Sequence, residues 1–147
     1  MTDLVLDASV ALKWAVPSAN EPLTAESLRL LKLYIDADVN LIVPDVFWAE
    51  IGNVLWKGVR QKRWTRALAD GAVTAITGLD FFTVSSLELL PEALKIAFPR
   101  DRTVYDCLYV ALAIKFNTEL ITADERLANA LAAHLPVKWL GGIARHS

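Results

Sequence analysis

The chain is short of the residues that carry thiol and soft-metal chemistry: 147 residues hold one cysteine, Cys107, and two histidines, His134 and His146. One thiol closes no internal disulfide, which points to a reducing cytoplasm. Two histidines near the end of the sequence exclude a zinc site of the Cys/His type and read as surface residues. Long apolar runs are also missing. Charges interrupt every hydrophobic stretch before the roughly 18 residues a membrane helix requires, so no membrane partner is expected. Residues 1–17 carry Asp3 and Asp7 and no basic lead, so no secretory signal is expected either. Net charge is only −2, and the body as a whole is not the basic surface that coats nucleic acid. The six glycines and six prolines are scattered, so no flexible linker divides the chain and no fixed-period repeat is visible.

Apolar residues are plentiful. They make up 54% of the sequence, with a mean hydropathy of +0.36, which excludes a disordered chain. The length fits one domain with a dense core, assigned to residues 1–140 with 141–147 as a C-terminal tail. Five tryptophans suggest more apolar surface than one small core hides, which points to an oligomer or a standing protein partner, with a fully packed monomer as the alternative. The early helical segments, 21–37 and 45–62, are the expected docking surface.

Short apolar runs alternate with helical periods. Strands are expected at 4–6, 40–43, 80–84, 119–122 and 137–140. Helices are expected at 8–16, 21–37, 45–61, 65–77, 87–97, 103–116 and 125–133, with Asp45 as an N-cap, Gly78 as a stop and a polar loop at 99–102. Such alternation predicts an α/β fold: a parallel β-sheet sandwiched by α-helices.

Four acids stand where acids are costly. Asp7 and Asp124 follow predicted strands, and ligands of open α/β sheets bind outside the carboxyl ends of strands. Helix capping explains either one singly, and Thr122 with Glu125 has capping-box spacing. Glu50 lies on a helix whose neighbours one turn away include Val46, Phe47 and Val54, and a carboxylate on an apolar stripe must be paired, protonated or cation-bound. Asp106 opens an otherwise apolar helix, where Thr103 offers a local cap. Taken together, four carboxylates gathered at one sheet edge repel unless a cation joins them. With no Cys or His nearby, that cation is hard: Mg²⁺, or Mn²⁺.

The motifs carrying these acids resemble those of a known family. They are Leu4-Val5-Leu6-Asp7-Ala8-Ser9-Val10, then Ala49-Glu50-Ile51-Gly52-Asn53-Val54-Leu55, then Tyr105-Asp106-Cys107-Leu108-Tyr109-Val110-Ala111, then Thr122-Ala123-Asp124-Glu125-Arg126-Leu127. In this order they are similar to the successive motifs of PIN-domain ribonucleases, and among these to the VapC toxins of toxin–antitoxin pairs. The resemblance runs from residue 4 to about 140. It implies that Asp7, Glu50, Asp106 and Asp124 hold Mg²⁺, with Ser9, Asn53 and Thr122 supporting them. It also implies an RNA substrate cut to leave a 5′-phosphate and a 3′-hydroxyl, a cognate antitoxin as partner, and a homodimer. Where some members carry a further acid two residues past the fourth aspartate, this chain has Arg126.

Metal-assisted hydrolysis would need a proton acceptor, and Asp106 or Asp124 is the first candidate. For the RNA surface, Lys57, Arg60, Lys62, Arg63 and Arg66 form an acid-free run interleaved with Trp56 and Trp64. Such a run contacts phosphates while a ring stacks on a base; its structural alternative is a solvated helix end. Arg100 and Arg102 form a second candidate beside Asp106, whereas Trp14 and Trp48 read as core or interface residues. Two rivals remain: a non-catalytic module of the same fold, and an aspartate-based phosphotransfer enzyme. The latter fits poorly, because a haloacid-dehalogenase-like site needs an aspartate where Ser9 stands, and a receiver domain needs a lysine near Thr122.

Overall fold

Five strands, all parallel, run in the order β3-β2-β1-β4-β5 in a computed structural model that describes residues 2–16 and 22–143. In chain order the elements are β1 Thr2–Leu6, α1 Ala8–Ala15, α2 Thr24–Ile35, β2 Val39–Pro44, α3 Val46–Arg60, α4 Arg66–Thr77 and β3 Phe82–Val84. There follow α5 Ser86–Arg100, α6 Val104–Lys115, β4 Leu120–Thr122, α7 Glu125–Leu131, β5 Val137–Trp139 and α8 Leu140–Ile143. Consecutive residues of a strand point to opposite faces, and Leu41, Ile42 and Val43 are all buried, so both faces of the sheet are covered. Among the described residues, no helix is long and apolar enough to cross a membrane.

The topology fixes where a site can form. From β1 the sheet grows through β2 to β3 on one side, then returns to add β4 and β5 on the other. The order therefore reverses between β1 and β4, where Val5 pairs with Leu120 and Leu6 with Ile121. A crevice opens at the carboxyl ends of strands at such a reversal. Asp7 follows β1 and Asp124 follows β4, so the two flank it.

Several local expectations are corrected. Asp45 precedes α3, but its backbone is already helical (φ −61°, ψ −25°) and its side chain makes no cap bond. Its Oδ2 instead accepts from the Ser86 amide at 3.1 Å, tying the start of α3 to the start of α5. Gly78 does end α4, as its C-cap residue, but with a helical φ of −66°, and the left-handed residue of that turn is Asp80. Helix α5 includes Pro91, as expected, but runs on through Pro99 to Arg100, absorbing the first half of the expected loop, and ends at left-handed Asp101. Each proline removes a bond to the carbonyl four residues back. Those carbonyls belong to Leu87 and Lys95, both exposed, so water can satisfy them. Gly141 to Ile143, expected in the tail, lie in α8, which packs against α2 and β5. Glu21, Pro17 and His146 lie outside the described residues.

Candidate functional site

Asp7 occupies the N-cap position of α1, yet its side chain makes no cap hydrogen bond of ordinary geometry, the Ser9 amide only favouring its charge weakly. Its Oδ2 accepts from Ser9 Oγ at 2.9 Å and from Thr122 Oγ1 at 2.6 Å. The same hydroxyls accept in turn from the amides of Ala123 and Asp124, at 3.1 and 3.0 Å. Thr122 is therefore committed to bridging β1 and β4, and the capping box with Glu125 does not form. Asp7 is 9% exposed, and burial pushes its pKa up despite the two hydroxyl donors, which favour the charge; the Asp106 carboxylate adds to the rise. A carboxyl sunk this deep with no cationic partner among the described residues is a large local cost, and such costs concentrate at functional sites.

Glu50 and Asn53 project from α3 into a cleft of about 330 Å³ lined also by Val46, Ala49, Tyr105 and Asp106. Glu50 is half-buried, and its pKa is pushed up to about 7, first by burial and then by the charges of Asp7 and Asp106. Asp106 sits in the first turn of α6, where its amide donates to Thr103 Oγ1 at 3.2 Å. The expected cap is present, and it uses the backbone of Asp106, leaving the carboxylate at the cleft. Burial raises the Asp106 pKa; Arg102, at 3.9 Å, opposes the rise, and Asp124 adds to it. Asp124 is exposed and caps α7, with Oδ1 accepting from the Leu127 amide at 3.1 Å.

The four acids are linked electrostatically, Asp7 with Glu50 and Asp106, Glu50 with Asp106, and Asp106 with Asp124, and of them Glu50 and Asp106 line the cleft. Among the described residues, no three metal-ligating side chains stand close enough to form a ready cage. The donor set still fits a cation of one kind. Mg²⁺ keeps several of its waters and needs only one or two carboxylates, whereas zinc wants a compact N/S shell that these oxygens do not provide.

The basic run divides. Lys57, Arg60, Lys62 and Arg63 are exposed at the end of α3, which closes through left-handed Lys62 with the Arg63 amide bonded to the Gly58 carbonyl at 2.8 Å. Arg66 instead pairs with Asp70 at 2.9 Å. Trp64 folds back on α3: its indole N–H donates to the Leu55 carbonyl at 3.0 Å, and its ring lies where a Cβ on Gly58 would stand, so it is no open stacking surface. Trp56, 54% exposed, is the available ring, with Arg60 over it at 5.3 Å. Arg100 donates to the Ile96 carbonyl, and Arg102 faces Asp106. Trp14 and Trp48 pack against Phe81, as interior residues should. Tyr109 was not singled out from sequence, although its spacing of three from Asp106 places both on one face of α6. Its hydroxyl is buried beside Glu50.

Comparison with known proteins bears on the whole arrangement. The PIN domain family model matches residues 4–131. Ribonuclease VapC3 of Pyrobaculum aerophilum is 30% identical over 134 residues, covering 88% of this chain and 95% of its own. Among solved structures, PAE2754 from Pyrobaculum aerophilum superposes with a TM-score of 0.71 at 22% identity, over 97% of this chain and 86% of that one. VapBC2 from Rickettsia felis, solved bound to a DNA fragment from their promoter, gives 0.61 at 11% identity, over 94% and 98%. These two similarities concern the fold. The family match spans β1 to α7 and includes all four acids, and by it the chain belongs to the PIN-domain family, with its likeness to the VapC branch.

Proposed function

We propose that the chain is a metal-dependent endoribonuclease that hydrolyses phosphodiester bonds in RNA, acting in the cytoplasm as the toxin of a toxin–antitoxin pair. The observation that carries this reading is Asp7: buried at the strand-order reversal, released from capping, and held by two hydroxyls in the common field of Glu50 and Asp106. The similarity to Ribonuclease VapC3 supports the same activity.

Asp7 and Asp106, with Glu50 and Asp124 around them, are the residues that would hold Mg²⁺ or Mn²⁺. When bound, such a cation neutralises phosphate oxygens and lowers the pKa of an attacking water. Ser9 and Thr122 keep the Asp7 carboxylate in one orientation, so little reorganisation is needed as charge develops. Asp106, at the mouth of the cleft, accepts the proton of the water through a carboxylate oxygen, while Arg102 steadies the side chain. The Glu50 face of α3 continues through Asn53, Lys57 and Arg60, spaced three, seven and ten residues on, a row of about 15 Å leading out of the cleft. An RNA backbone follows this row, with Trp56 offering a face to an unpaired base, Lys62 and Arg63 beyond its end, and Arg100 on the Asp106 side of the cleft.

Two apolar surfaces suit protein partners. The antitoxin covers the groove of about 190 Å³ between α3 and α4, lined by Trp48, Ile51, Gly52, Val73, Ile76 and Thr77. A second copy of the chain covers α5, where Leu87 and Phe98 are 81% and 80% exposed. The non-catalytic reading draws on the lack of a three-ligand cage among the described residues. Incubating the protein with single-stranded RNA, with and without Mg²⁺, separates the two. Cleavage that stops on chelation and in Asp7→Asn supports the nuclease, and intact RNA throughout overturns it.

A further inference from the structure

Of the four acids, Glu50 has the least support from its surroundings. Asp7 is gripped by two hydroxyls, Asp106 faces Arg102, and Asp124 is fixed by the cap it forms. Glu50 leaves the middle of α3 with no ion-pair partner among the described residues and no backbone amide to hold it. A long side chain free to rotate is a poor ligand, because each competing rotamer is an orientation the bound state gives up.

Tyr109 lies close to that side chain. Its ring is 2% exposed, and its hydroxyl is buried without a hydrogen bond of ordinary geometry. Its polar neighbours are the Glu50 carboxyl, the Ala8 backbone and the Asp7 carboxyl. A buried phenol oxygen left unpaired is disfavoured, and a phenylalanine would fill the same space without that cost. Helix α6 holds the ring rigidly in the core, so the hydroxyl has a fixed place and Glu50 is the partner able to move toward it.

We infer that Tyr109 is a positioning residue: its O–H donates to the Glu50 carboxylate and fixes that carboxylate in the orientation used to bind a divalent cation. This rests on the metal-binding reading above, and the groups that orient metal ligands typically matter by factors of 10 to 100 in affinity. A tyrosine serving only as core filler predicts the opposite. Removing its unpaired oxygen would then steady the protein and leave cation binding untouched.

The test is Mn²⁺ binding followed by electron paramagnetic resonance on the full chain, for the wild type, Tyr109→Phe, Glu50→Ala and the double variant, with melting temperatures to confirm folding. Tyr109→Phe is expected to bind Mn²⁺ about 10- to 100-fold more weakly, and the double variant to bind as Glu50→Ala alone does. Equal affinity in Tyr109→Phe overturns the inference, and so does a full additional loss in the double variant. Coupled loss of binding in a protein that does not cleave RNA leaves Tyr109 in place and removes the nuclease reading. A wild type that binds no Mn²⁺ removes both.

Discussion

Asp7 and Asp124 begin from the same local grammar and end differently. Each follows a strand and stands at the N-cap of the next helix. Asp124 makes the cap bond, is exposed, and satisfies the helix that follows it. Asp7 makes none, is buried, and takes its hydrogen bonds from Ser9 beside it and Thr122 across the strand pair. An aspartate at a strand end is by default a structural device. What marks the other kind is polar support drawn from a distant part of the chain, because a cap needs nothing beyond its own first turn.

The sharpest way to break the comparison is to remove each charge in turn. Asp7→Asn should lower Mg²⁺-dependent RNA cleavage by about 10²–10³-fold, the scale on which one preorganised electrostatic group acts. It should also raise the melting temperature of the metal-free protein, because a buried charge and its repulsion with Asp106 are gone. Asp124→Asn should keep its cap and its stability. Equal losses of cleavage, or a destabilised Asp7→Asn protein, would erase the distinction.

Next in size is the cation. Mg²⁺ or Mn²⁺ at about 100 times its dissociation constant should stabilise the fold by about 2.7 kcal/mol, and chelation should reverse this. Calorimetry should find that gain lost in Asp7→Asn and largely kept in Asp124→Asn. Smaller still is the cap: Asp124→Ala should cost about 1 kcal/mol in chemical denaturation, while Asp124→Asn costs little.

The pH profile sharpens the contrast on the Asp7 side. Glu50 ionises near 4.5 in the unfolded chain and only at about 7 in the fold. Between those values the native state binds more protons, so the stability of the metal-free protein should fall as pH rises from about 4.5 through about 7. Glu50→Gln should flatten that slope in thermal melts, and an unchanged slope would place its origin elsewhere.

Much of the fold could be read from the residues. The runs at Leu4-Val5-Leu6 and Leu41-Ile42-Val43 are short and apolar, as strands covered on both faces must be, and the helical periods between them dictate parallel crossovers. The errors share a cause. Pro99 discourages a helix by a local rule, which fails where the freed carbonyl faces water. Asp45 looks like a cap, but its acceptor is claimed by Ser86, forty-one residues away. The acids were visible because a carboxylate among apolar neighbours is anomalous on any scale. Trp64 lying flat on Gly58 was hidden, since nothing in either residue states that the chain turns back at Lys62. The buried hydroxyl of Tyr109 was hidden because tyrosine in an apolar helix resembles ordinary filler.

The bond between Thr122 and Asp7 spans 115 positions of sequence, and β4 must lie beside β1 before it exists. A ribosome emits β1 first, and β2 can pair with it early. The other side of β1 stays empty until some 120 residues have left the exit tunnel. Throughout synthesis the nascent chain therefore holds its first acid without the threonine that orients it or the strand that completes the crevice. On the nuclease reading, the order of translation would keep the unfinished protein inert, and a fragment truncated before residue 120 is expected to stay so.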